Sequence, residues 1–113
     1  MDDALRQRID GILGSNKIVL FMKGTKSFPQ CGFSAQVIEV LKRTNAEFHT
    51  VNILVEDDLR QGMKDYANWK TFPQLYVEGR FVGGCDIVTE MFESGELLPV
   101  IDRALGRAPA SAS

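Results

Sequence analysis

A chain of 113 residues, 44% hydrophobic and 25% charged, suffices for one domain around one core and leaves no room for a second. Its formal net charge of -2 excludes a global basic field, and the lysines and arginines are scattered, so no nucleic-acid partner is expected. No apolar run approaches a signal h-region or a membrane span, and two cysteines are too few for a disulfide scaffold, so a soluble protein of a reducing, cytoplasmic compartment is expected.

Leu5, Ile9, Ile12 and Leu13 recur at helical spacing behind Asp2 or Asp3 as N-cap, and Gly14-Ser15-Asn16 closes this first helix. The run from Lys17 to Lys23 is β-branched and apolar without alternation, the pattern of a central strand covered on both faces. Gly24 to Gln30 reads as a loop. Beyond Cys31, the residues Phe33, Val37, Ile38 and Leu41 predict a second helix ending near Thr44-Asn45, and Phe48 to Ile53 predicts the next strand. Strand, helix, strand implies a parallel right-handed crossover.

Leu59, Met63, Tyr66 and Ala67 mark a third helix. Leu75-Tyr76-Val77 and Phe81-Val82, joined by a short turn over Glu78-Gly79-Arg80-Phe81, predict an antiparallel hairpin. Asp86 opens a helix running to about Glu93, and Leu97 to Leu105 forms the last, with Ile101 facing inward. A β-α-β unit followed by a β-β-α unit on one sheet is the thioredoxin-like arrangement: an α/β domain over residues 1–105, with a four-stranded mixed sheet flanked by helices and a flexible tail at 106–113.

The chemistry concentrates at Cys31-Gly32-Phe33-Ser34. A second cysteine at position 34 would allow an internal disulfide, whereas Cys-x-x-Ser allows only a mixed disulfide with another molecule or one thiolate given to a metal. Cys31 opens a helix and follows a strand that ends in Lys23, and both features favour thiolate over the alternative of an inert buried cysteine. Gly83-Gly84-Cys85-Asp86 precedes another helix: its N–H groups can hold a carboxylate and Asp86 an ammonium, or the glycines form a tight turn with Asp86 as N-cap. Cys85 is open between a buried pocket residue, a resolving thiol and a spare metal ligand. Arg60 otherwise reads as a solvated helix-face residue beside Glu56 and Asp57, His49 as structural, and Met22, Met63 and Met91 as core.

Four blocks, Phe21-Met22-Lys23-Gly24-Thr25, Phe28-Pro29-Gln30-Cys31-Gly32-Phe33-Ser34, Thr71-Phe72-Pro73-Gln74-Leu75 and Gly83-Gly84-Cys85-Asp86, occur in this order. With them the chain resembles the monothiol glutaredoxins of the Cys-Gly-Phe-Ser type from about Ile9 to Ala104. The resemblance implies a cis Pro73 opposite Cys31, where residues alone would favour trans, and a free Phe72 N–H and C=O able to pair with an extended peptide. It implies glutathione bound by Lys23 and Arg60 at its glycyl end and by Phe72, Pro73, Cys85 and Asp86 elsewhere, with Cys85 contributing backbone. It further implies a homodimer holding a [2Fe-2S] cluster, Cys31 of each subunit and two glutathione thiols making four ligands. Cluster transfer to apo-proteins or regulatory partners, and a part in iron and redox homeostasis, follow from that reading. The alternative is a glutathione-dependent oxidoreductase acting through Cys31, although the run Thr25 to Pro29 resembles a subtype weak in that activity. Lys70 and Lys26-Ser27 depart from the family by standing where proline is usual.

Overall fold

The computed structural model describes residues 1–108. A single sheet has strand order β2-β1-β3-β4, with β1 (Ile18–Met22), β2 (His49–Asn52), β3 (Gln74–Val77) and β4 (Arg80–Gly83). β1 runs parallel to β2 and antiparallel to β3, and β3 pairs antiparallel with β4. The helices are α1 (Asp3–Ser15), α2 (Gly32–Arg43), α3 (Asp57–Ala67), α4 (Cys85–Ser94) and α5 (Leu97–Leu105).

The central place of β1 explains its unbroken apolar run. Ile18, Leu20 and Met22 pack into the cluster formed with α2, α4 and α5, while Val19 and Phe21 enter a second cluster with Ile9, Leu13, Leu59 and Met63 of α1 and α3. All five β1 residues are buried, so both faces are apolar and no alternation can appear. Fully burying a side chain of this kind contributes about 1.5–3 kcal/mol.

The turns follow local chemistry. The Asp2 carboxylate accepts from the Leu5 N–H at 2.7 Å and caps α1. Glu78 and Gly79, both at positive φ, make the two-residue hairpin between β3 and β4, so the turn is tighter than the four residues predicted. α4 begins one residue earlier than predicted: Gly84 is its N-cap, Cys85 its first residue, and Asp86 lies in the first turn rather than at the cap. At the other end, Arg107 is held in place. Its guanidinium donates to the buried Asp102 carboxylate at 2.5 Å and to the carbonyls of Thr44 and Asn45 at 2.5 and 3.2 Å. The remainder of the expected tail, 109–113, lies outside the described residues.

Candidate functional site

Cys31 is set by the loop that precedes it. Gly24 to Pro29 folds back on itself: Thr25 and Phe28 exchange backbone hydrogen bonds at 3.1 and 3.2 Å, and the Gln30 N–H donates to the Lys23 carbonyl at 2.9 Å. Gly24 is required there, because it has φ +100° and a Cβ on it would lie 2.5 Å from the Gln30 nitrogen. Asn52 of β2 accepts from the Gly24 N–H at 3.0 Å. Lys26, on the loop's outer side, donates to the Phe48 carbonyl at 2.6 Å and sits 4.2 Å from the centre of the Phe48 ring. The loop therefore closes with Lys23 beside Cys31.

Cys31 is the N-cap of α2, partly exposed, with extended backbone (φ -149°, ψ 135°). Its thiol titrates below the ordinary cysteine value. The largest cause is the Ser34 N–H directed at the sulfur; partial burial opposes it; the Phe33 N–H, the charge of Lys23 and the Ser34 hydroxyl add to the lowering. Ser34 itself is fully buried, and its Oγ accepts from the Lys23 N–H at 3.2 Å. The last residue of the motif thus joins the first turn of α2 to the end of β1.

Opposite the thiol, the Phe72-Pro73 peptide bond is cis. The Phe72 N–H and C=O make no hydrogen bond to the described residues, which leaves both available. Gln74 holds this segment. Fully buried, it donates from Nε2 to the carbonyls of Trp69 and Thr71 at 3.0 and 3.3 Å, while its Oε1 accepts from the Tyr76 hydroxyl at 3.1 Å. Sequence reading passed over Gln74 as part of a motif block; a polar residue opening an otherwise apolar strand was the available signal.

Between Cys31 and the cis-proline lies a cleft of about 600 Å³. All seven residues singled out in the sequence line it: Lys23, Cys31, Arg60, Phe72, Pro73, Cys85 and Asp86. It also takes in Lys64, Trp69 and Lys70, which the sequence reading had not assigned to a ligand. Two donors in its wall, Arg60 Nε and Trp69 Nε1, are buried without a hydrogen-bond partner among the described residues. Trp69 is fixed by its ring packing on Phe81, centroids 5.5 Å apart, and the Gly84 backbone approaches it so closely that a Cβ there would lie 3.3 Å from Nε1. Arg60 is thus a cleft residue and not a solvated helix-face one.

Cys85 is a buried thiol, raised above the ordinary value mainly by burial, with Thr89 opposing and the charges of Asp86 and Cys31 adding. The two cysteines of one cleft are therefore shifted in opposite directions, Cys31 towards thiolate and Cys85 towards thiol. His49 is exposed on β2 and does not line this cleft. Among the described residues, no three His, Cys, Asp or Glu side chains come together as a metal-holding group, and no helix is long and apolar enough to cross a membrane.

A four-stranded mixed sheet, a cysteine at a helix N-terminus with its thiol shifted towards thiolate, and a cis-proline lining the same cleft define a protein of the thioredoxin-like fold. The glutaredoxin family model matches residues 18–82. The chloroplastic monothiol glutaredoxin-S7 of rice is 50% identical over 101 residues, which are 89% of this chain and 60% of that one, so the chain spans only part of the rice protein. A ycf64-like monothiol glutaredoxin of Synechocystis is 46% identical, covering 93% of this chain and 98% of that one. The solution structure of reduced apo GrxS14 from poplar superimposes with a TM-score of 0.81 at 54% identity, covering 89% and 93% of the two chains. A buckwheat glutaredoxin–glutathione complex shares the fold, with a TM-score of 0.82 at 24% identity over 96% and 99%. The chain belongs to the glutaredoxin family, among its monothiol members.

Proposed function

We propose that this protein binds glutathione beside Cys31 and, as a homodimer, carries a [2Fe-2S] cluster that it passes to apo-proteins or regulatory partners. The observation that carries this reading is the pairing of a single thiolate-favouring cysteine with a cleft lined both by cations, Lys23 and Arg60 among them, and by the carboxylate of Asp86, while a buried, hydrogen-bonded serine fills the place of a second thiol.

Glutathione has a carboxylate at its glycyl end and a carboxylate with an ammonium at its γ-glutamyl end. Lys23 and Arg60 suit the first, and the first turn of α4 with Asp86 suits the second. Arg60 Nε and Trp69 Nε1 are buried donors that an acceptor in the cleft would satisfy. The free Phe72 N–H and C=O, held by Gln74, offer two further hydrogen bonds to an extended peptide. The buckwheat protein, which shares this fold, was solved as a complex with glutathione.

A [2Fe-2S] cluster is usually held by four thiolates. One chain offers Cys31 as its partly exposed cysteine, since Cys85 is buried, so two chains and two glutathione thiols would complete the set. With half of its ligands exchangeable, such a cluster is suited to transfer. The lowered Cys31 thiol also supports a second reading, protein deglutathionylation. There the Cys31 thiolate attacks the glutathione sulfur of a mixed disulfide, releasing the protein thiolate and forming Cys31–S–S–G; a second glutathione thiolate then releases oxidised glutathione and restores Cys31. Two cysteines are too few for a disulfide scaffold, which fits a reducing compartment such as the cytoplasm. Fractionation of the source cells would separate this from the chloroplast named for the rice relative.

Anaerobic reconstitution with iron, sulfide and glutathione, followed by visible absorbance and size-exclusion chromatography, tests the reading. A coloured dimer that forms with glutathione and not without an added thiol is expected. A full cluster on the chain without any added thiol would refute the ligand set, and Cys31→Ser should abolish cluster binding where Cys85→Ser retains most of it.

A further inference from the structure

Glu56 is the N-cap of α3, and its carbonyl accepts from the Arg60 N–H at 2.9 Å, so the acid precedes the base by one turn at the start of the helix, the order in which opposite charges can pair. That pair is not formed. The Glu56 carboxylate is bound by Arg8 of α1 at 2.6 Å, and the other arm of the same guanidinium binds Asp58. Both carboxylates are thereby drawn towards α1. Asp57 makes no ion pair with Arg60, so among the described residues Arg60 has no carboxylate partner, and it lines the cleft with its Nε buried and unsatisfied.

We propose that Arg8, outside the cleft, is a positioning residue for ligand binding: by holding Glu56 and Asp58 it prevents an ion pair between the N-cap carboxylate and Arg60 and keeps that guanidinium open for an anionic group. The inference rests on the reading that the cleft takes glutathione. Without Arg8, Glu56 is released to Arg60, and a ligand carboxylate must then displace an internal one. Arg8 and its partners are exposed, with side-chain exposures of 42%, 39% and 52%, so their removal leaves the core intact and acts through charge.

The test is calorimetric titration of the reduced apo protein with glutathione at low salt, for Arg8→Gln, Glu56→Gln, Arg60→Gln and their combinations. Arg8→Gln should weaken binding about two- to fivefold, the range set by one surface ion pair. Adding Glu56→Gln should restore it, and in the Arg60→Gln background Arg8→Gln should have no further effect. An Arg8→Gln protein that binds as wild type overturns the proposal, as does an equal loss in the Arg60→Gln background, which would indicate a general field effect. The Arg60 Nε–H resonance of the ligand-free protein provides a second measurement. It should move in Arg8→Gln and return when Glu56→Gln is added; a resonance that stays put overturns the proposal whatever glutathione does. A wild type that binds no glutathione would refute the proposed function instead, leaving the resonance to decide the pairing.

Discussion

Replacing Ser34 by alanine should separate stability from reactivity. The hydroxyl is fully buried and accepts from the Lys23 N–H, so alanine leaves a partly buried backbone donor at the end of β1 without its acceptor. Such a loss destabilises by about 1–2 kcal/mol, which for a domain of this size lowers Tm by about 4–8 °C. Cys31 is affected much less, because the Ser34 hydroxyl is the smallest contributor to its lowered titration and the Ser34 N–H, the largest, survives the change. Thermal unfolding under reducing conditions and the rate of Cys31 alkylation against pH measure the two effects. A melting point within about 1 °C of wild type would refute the role given to the Lys23–Ser34 bond. An alkylation midpoint raised to that of a free cysteine would refute the order of causes at the thiol.

Ser34→Cys places a second thiol one helical turn from Cys31, and should favour oxidoreductase turnover over cluster retention. The lifetime of the reconstituted cluster in air should fall, with a disulfide between Cys31 and the introduced thiol visible by mass spectrometry, and unchanged lifetime with no disulfide would make the serine incidental. Lys23→Ala and Asp86→Ala should each weaken glutathione binding by about 1.5–3 kcal/mol, the range for a hydrogen bond to a charged group, and calorimetry that finds both unchanged would place the ligand elsewhere. Alkylation of the native protein should modify Cys31 first, with a pH midpoint below that of a model thiol, and Cys85 only above it, as resolved by peptide mapping. Because the folded state lowers the Cys31 titration, its contribution to stability is fully present above the unfolded thiol's pKa and is lost as pH falls through the lower folded value; Cys85→Ser should leave this dependence in place and Cys31→Ser should remove it.

What could be read from the chain depended on whether the deciding partner was local. The unbroken apolar run of β1 announced a central strand because it is covered by helices on both faces, and the Glu78-Gly79 dipeptide carried its own turn geometry. Cys31 could be read as reactive because its causes, the helix N-terminus and Lys23, are close in sequence. Arg60 could not be placed from its neighbours, since the fate of Glu56 is decided by Arg8, 48 positions away. Gln74 was obscured for a related reason: its amide serves the backbone of a loop whose path is set only once β3 lies in the sheet. Asp86 was assigned to a cap or a ligand on equal terms, and the earlier start of α4 removes the cap.

The clasp made by Arg107 bears on how the domain can be cut. A boundary drawn where the helical pattern stops, at Leu105, would retain every apolar residue of α5 yet discard the cation that faces Asp102, a carboxylate only 3% exposed. It would also strip the Thr44 and Asn45 carbonyls of the donors that tie the end of α5 to the end of α2. A truncation after Leu105 therefore leaves a buried charge uncompensated, whereas one after Ala108 does not, and expression vectors and fusion joints should respect that difference.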